Sequence, residues 1–200
     1  MPPIETQSGT AERPLRADAA RNRGKVLAAA RETFGDVGLE AEMAVIAERA
    51  DVGVGTVYRH FPTKEALLAA LADEHFERLA DNAEAAMAEG GTAWEVFERV
   101  IWRNATATAE DHGMCDVLAQ AAPAMAALPP SPRLQAIGAR LMDAAVAEGS
   151  ARPDATGEDI PMMMCGFGKI ASLERRRGGE TGGFSWRRYL TIMLDGLRTR

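Results

Sequence analysis

Two hundred residues, 46% hydrophobic and 26% charged, fit a folded chain of one large domain or a small one fused to a medium one. No run of about 18 apolar residues is present, so no membrane-spanning helix is expected. Met1 to Thr10 also lacks the basic start and apolar stretch of a secretory signal.

The net charge of −6 argues against a generally basic nucleic-acid binder, yet the charge is unevenly spread. Residues 13–31 carry Arg13, Arg16, Arg21, Arg23, Lys25 and Arg31 against Asp18 alone, whereas residues 66–200 hold 19 Asp and Glu against 14 Lys and Arg. A basic leading end on an acidic body suits a protein that grips phosphates with one end. A solvated basic helix start accounts for the same charges. The two cysteines, Cys115 and Cys165, form no CxxC and fit free thiols in a reducing cytoplasm.

Alanine is abundant and strand-like runs are absent, which predicts an all-α fold of about nine helices. Residues 1–15, with Pro2, Pro3, Gly9 and Pro14, read as a flexible tail, 16–65 as a first domain and 66–200 as a second. A helix is expected from Asp18, a capping residue, to Val37, with Val26, Leu27, Ala30, Phe34 and Val37 inward and Gly38 ending it. Two short helices follow, about 43–50 and 54–60, around a tight turn at Asp51-Val52-Gly53 that needs one residue tolerant of positive φ. The second is expected to carry Val54, Val57 and Phe61 inward, with Val52, Val57 and Phe61 as its apolar anchors. Thr63 is an N-cap for a helix reaching Met87, its capping box left incomplete by Ala66. Beyond Gly90-Gly91, further helices are expected over 92–110, 114–125, 132–148, 157–174 and 185–198, the last behind a Ser185 cap.

The pair at 43–60 has the makings of a helix-turn-helix. Ala47 is small enough for a close crossing, and Thr56, Tyr58, Arg59 and His60 supply donors for phosphates and base edges on the second helix. Two short helices of an ordinary bundle would share the hydrophobic pattern but have no use for that polar set.

The run Ile46-Ala47 … Ala50-Asp51-Val52-Gly53-Val54-Gly55-Thr56-Val57-Tyr58-Arg59-His60-Phe61-Pro62-Thr63-Lys64-Glu65-Ala66-Leu67 resembles the signature of the TetR family of repressors, and the likeness covers about residues 17–70. The resemblance implies a three-helix DNA-binding head and a longer helical domain for dimerisation and ligand, acting without a cofactor. Carried over by position, it implies that Thr56, Tyr58, His60 and Lys64 hold phosphates, Lys64 with the help of a helix dipole. Val54, Gly55 and Arg59 would face base edges, and of these only Arg59 can read a guanine bidentately. The chain departs from the signature at Gly53, where Ser is usual, and at Glu42, where Thr usually starts the first short helix. Phosphate binding is therefore expected to lean on Arg16, Arg21, Arg23 and Lys25.

Nothing in the second domain reads as an enzyme: there is no GxSxG, P-loop or dinucleotide fingerprint, and His112 with Cys115 lacks a third ligand. Trp94, Phe97, Trp102, Met114, Leu118, Met125, Leu141, Met163 and Phe167 are candidates for an apolar effector pocket, since methionine lets a cavity reshape. Ordinary core packing is the competing account of each. Phe167, Ile170, Trp186, Tyr189, Leu190, Met193 and Leu197 are candidates for a homodimer interface, where the resemblance implies a four-helix bundle. The resulting expectation is a cytoplasmic dimeric repressor that binds a palindromic double-stranded operator and is released by a small molecule. The alternatives are the same scaffold as an activator or a thiol- or metal-responsive sensor, or a helical adaptor for a protein partner.

Overall fold

The computed structural model describes residues 12–111 (side chains from Ala17 onward), 114, 131–177 and 185–199. Among them are eight helices and no strand: α1 (Glu12–Val37), α2 (Met43–Arg49), α3 (Val54–His60), α4 (Lys64–Met87), α5 (Ala93–Glu110), α6 (Pro132–Glu148), α7 (Asp159–Arg176) and α8 (Trp186–Leu197). The helix expected over 114–125, with Leu118 and Met125, lies outside the described residues apart from Met114, as does the loop over 178–183. None of the described helices is long and apolar enough to cross a membrane.

α1 starts six residues before Asp18. Pro14 falls in its first turn, where a missing N–H costs nothing. Asp18 is therefore not a cap; it pairs with Arg21 one turn on. The far end matches expectation, with Gly38 at φ 81°. Val37, expected inward, is 63% exposed. Phe34 already fills the head core, and the helix ends before another turn can carry Val37 under it.

Two apolar cores share one helix. In the head, Val26, Leu27, Ala30 and Phe34 of α1 meet Met43, Ile46 and Ala47 of α2, Val57 of α3, and Leu67 and Leu71 from the first turns of α4. In the body, Ala80, Ala83 and Ala86 of the same α4 pack with Phe97, Ile101 and Ala105 of α5, Met142 of α6, Phe167 of α7 and Leu190 and Leu194 of α8. The head core thus runs past residue 65. At 24 residues, α4 is a rod about 36 Å long with one end in each core.

The helix ends are well served. Thr63 Oγ1 accepts the Ala66 N–H at 3.2 Å, the half box the sequence offered. Thr92 and Glu95 form a complete capping box on α5, and Glu148 at the end of α6 accepts from Ala93 N (3.0 Å) and Trp94 N (3.3 Å). Ser185 stands at the N-cap of α8 without using its side chain; the Glu174 carboxylate accepts the Trp186 N–H instead, at 2.5 Å. Arg133 of α6 reaches Glu77, Asp81 and Glu84 on α4 at 3.1, 2.8 and 2.7 Å, fixing the register of those two helices.

Candidate nucleic-acid interface

The turn between α2 and α3 resolves which residue takes the unusual backbone. Asp51 sits at φ 54°, while Gly53 has an ordinary φ of −66° as N-cap of α3. The Val52 N–H bonds to Ala47 O and the Asp51 N–H to Glu48 O, both at 3.1 Å, which is a Schellman ending with aspartate in the left-handed position. An L side chain there is strained by about 1–2 kcal/mol, part of which glycine would return as unfolded-chain entropy. Asp51→Gly is therefore expected to stabilise the head by about 0.5–1 kcal/mol, read as a higher denaturant midpoint; a lower midpoint would mean that the carboxylate supports the turn.

Ala47 is buried at the α2–α3 crossing, and Val57 and Phe61 anchor α3. At 100° per residue, Val54, Gly55, Tyr58 and Arg59 fall on one arc of about 140°. All four are exposed, Val54 at 47% and Tyr58 at 49%. Val54, expected inward from the helix stripe and at base edges from the resemblance, points outward because it opens the first turn, ahead of the crossing. Thr56 and His60 are half-buried on the flanks, and the His60 ring leans on Phe61 at a centroid distance of 6.3 Å. Arg59 makes no ion pair among the described residues.

A Cβ added at Gly55 would meet nothing within 4 Å, and its φ is not positive. The fold does not need a glycine here, and in a helix it costs about 0.5–1 kcal/mol against alanine. Gly55→Ala is expected to stabilise the head by about that amount while weakening DNA binding. Equal DNA affinity in the variant would remove Gly55 from the interface.

Cations frame this face. The Arg23 guanidinium lies 5.5 Å from the centroid of Phe61, beside the end of α3, and Lys64 Nζ lies 5.9 Å over Phe34 at the start of α4. Lys25 is exposed, whereas Arg21 is committed to Asp18. Arg16 lies in α1 with its side chain outside those described. Glu42 caps α2 by position only, without a side-chain bond.

Behind the head lies a junction that the sequence did not reveal. The Asp111 carboxylate, at the end of α5, accepts from Arg78 Nη2 of α4 at 2.8 Å and from the Met114 N–H at 3.1 Å, and lies 3.6 Å from Arg31 Nε of α1. Burial alone would raise its pKa; hydrogen bonds from Arg78 and Met114 and the two arginine charges outweigh that and hold it below the ordinary carboxylate value. Arg31 also stands 3.3 Å from Glu74, yet its Nε and Nη2 are buried without a hydrogen bond, so it is paired in charge and not in geometry. His75 of α4 completes the cluster, its ring nitrogens 3.3 Å from Arg78 and 3.3 Å from Thr108 of α5.

Met114, expected in an effector pocket, is fully buried in the head core instead, with its N–H held by the Asp111 carboxylate. Trp94, Phe97, Leu141 and Phe167 are buried in the body core, with Trp102 and Met163 packed against it. Two clefts open elsewhere: one of about 440 Å³ along Arg152, Asp195 and Arg198, and one of about 320 Å³ between α4 and α5. Neither is lined by a residue named for the pocket.

Of the residues named for a dimer, Phe167 and Leu190 are fully buried within the protomer, Phe167 edge-on to Trp186 at 5.3 Å. Ile170, Trp186, Tyr189, Met193 and Leu197 are partly exposed. The apolar side chains standing out from α7 and α8 are Met162 (74% exposed), Leu173 and Ile192, none of which had been placed there. Cys165 is exposed, His112 and Cys115 lie outside the described residues, and no trio of metal-binding side chains occurs among those described.

Comparison with known proteins bears directly on this arrangement. The family model for bacterial regulatory proteins of the tetR family matches residues 26–71, the span from Val26 to Leu71 that closes the head core. The crystal structure of a TetR transcriptional regulator from Streptomyces coelicolor is 34% identical, covering 88% of this chain and 98% of that one with a TM-score of 0.54. The chain belongs to the TetR family. It is a transcriptional regulator and not an enzyme, with a helix-turn-helix head and a helical body. The chain is also similar to the transcriptional repressor KstR of Mycolicibacterium smegmatis, 41% identical over 86 residues. That match spans 42% of this chain and 42% of the repressor. For the fold alone, the fatty acid degradation regulator FadR of Bacillus halodurans superposes with a TM-score of 0.69 at 18% identity, over 94% of this chain and 96% of FadR.

Proposed function

We propose that this TetR-family protein is a ligand-responsive repressor that reads a palindromic operator as a homodimer and is released by a small apolar or aromatic effector held in its helical body. The exposed arc of Val54, Gly55, Tyr58 and Arg59 carries the proposal: it is anchored from behind by Val57 and Phe61, its side chains make no hydrogen bond or ion pair among the described residues, and Gly55 leaves open space at its centre. Tyr58, Thr56, His60 and Lys64 hold phosphates, with Arg23 and Lys25 at the flank. Arg59 reads a base edge. Repression follows the similarity to KstR.

A second copy docks on the α7–α8 pair, where Met162, Leu173 and Ile192 stand exposed next to Ile170 and Met193. A two-fold axis there would set two recognition helices about 34–36 Å apart, or a multiple of that. The effector acts by favouring one spacing of the heads, with a coupling of about 1–3 kcal/mol.

The test is selection from a randomised DNA pool at moderate salt. A two-fold-related motif is expected. Arg59→Ala is expected to bind the best sequence about 10- to 100-fold more weakly and to lose base preference at one position per half-site, a bidentate contact being worth about 1–3 kcal/mol. An undiminished preference in Arg59→Ala would displace α3 as the reading helix, and a pool yielding only salt-sensitive bulk binding would overturn the operator.

A further inference from the structure

α3 opens on a valine between two glycines, Gly53-Val54-Gly55. Neither glycine has a positive φ, and a Cβ added to either would meet nothing within 4 Å. Over these three residues the helix therefore projects one side chain from bare backbone. That side chain is wholly apolar and 47% exposed. Tyr58 follows Val54 by one turn, and Arg59 follows Gly55 by one turn.

The chemistry of valine limits what it can read. It offers only methyl groups, which β-branching holds in one preferred rotamer of a helix. It is also short, so it touches a base edge only where the backbone comes close, and Gly53 and Gly55 leave room for that approach. The base edges of the major groove present donors and acceptors, with one apolar group among them, the C5-methyl of thymine. Valine set against a donor or acceptor would displace its water and return no hydrogen bond. Set against the methyl, it removes apolar surface of both partners from water.

We infer that Val54 is a specificity-determining residue, selecting a thymine in each half-site by contact with its C5-methyl group. This rests on the operator-reading function proposed above and names a base that Arg59 does not read. From Val54 to Arg59 the helix rises about 7.5 Å, whereas successive bases of a strand lie about 3.4 Å apart, so the two side chains meet different base pairs. Arg59 supplies the polar contact and Val54 the apolar one.

The test uses the operator recovered by selection and the whole chain. Each thymine of a half-site is replaced in turn by deoxyuridine, which removes the methyl group and leaves every hydrogen-bonding atom in place. Affinity is expected to fall about fourfold at one thymine, and about fifteenfold when its two-fold mate is replaced as well. With cytosine at that position, adding the 5-methyl group is expected to recover about fourfold. Val54→Ala is expected to bind the thymine and deoxyuridine operators within about twofold of each other, and Val54→Thr, which keeps one methyl, to fall between it and the wild type.

Deoxyuridine tolerated at every thymine, or 5-methylcytosine bound no better than cytosine, would overturn the methyl contact while leaving the operator in place. A deoxyuridine penalty that persists undiminished in Val54→Ala would overturn the role of Val54. A pool that yields no two-fold-related motif would overturn the operator-reading function itself, and this inference with it.

Discussion

Lowering the pH from 7 to 4 is expected to remove about 3 kcal/mol of stability through one side chain, His75. The ring is 2% exposed. Its Nδ1 faces Arg78 Nη2, and a guanidinium can only donate, so Nδ1 is the unprotonated acceptor. Nε2 then carries the proton and donates to Thr108 Oγ1. Burial, followed by the charges of Arg78 and Arg31, lowers its pKa from 6.5 to about 4, with Asp111 opposing. The folded pKa lies below the unfolded one, so between about pH 6.5 and 4 the unfolded chain takes up the proton and the folded one does not. Stability is therefore full above about pH 6.5 and falls as the pH drops to 4, by about 1.4 kcal/mol per pKa unit. Denaturant unfolding at pH 7, 5.5 and 4, wild type against His75→Gln, isolates this share from the carboxylates. Curves that lose stability equally in both proteins would show that His75 takes its proton in the folded state.

The head was legible because its information is local. The spacing of Ile46, Ala47, Val57 and Phe61, the turn before α3 and the Thr63 cap are all set within a few residues of one another, and the structure keeps them. Misplacements began where a periodic pattern outran its element. Val37 and Val54 fit the stripe of their helices but occupy a last and a first turn, where no neighbour covers them. On α7 the stripe of Ile160, Met163, Met164, Phe167, Ile170 and Ala171 leaves Met162 off the inward face, and Met162 is the methionine that stands exposed. Phe167 and Leu190 were read as interface because the resemblance implies that the last two helices pair in a four-helix bundle, but a protomer needs its own core first. The junction was invisible for a different reason. Asp111 looks like a solvated acid ending a helix, and its partners Arg31 and Arg78 are 80 and 33 residues away in sequence, beyond any local pattern.

Replacing Asp111 with alanine is expected to separate the melting of the head from that of the body. The carboxylate is largely buried and holds three groups at once: the Arg78 guanidinium, the Arg31 guanidinium and the Met114 N–H that seats Met114 in the head core. Without it, Arg31 keeps Glu74 at 3.3 Å, among the described residues, for two buried nitrogens that already lack hydrogen bonds, and the Met114 N–H loses its acceptor. Breaking a fully buried pair costs about 3–5 kcal/mol; Arg78 is nearly half-exposed, so about 2 kcal/mol is expected here.

For a head of this size, that loss lowers the midpoint on the order of 10 °C. Far-ultraviolet circular dichroism reports all the helices, whereas tryptophan emission reports the body alone. The two probes should coincide in the wild type and part in Asp111→Ala, with dichroism falling first. Asp111→Asn, which retains an acceptor for the Met114 N–H but loses the charge, should fall between them. Coincident melting in Asp111→Ala would mean that α4 alone carries the coupling between body and head. Separation would place that coupling in a single carboxylate at the end of α5, which ties α1 and α4 to the body.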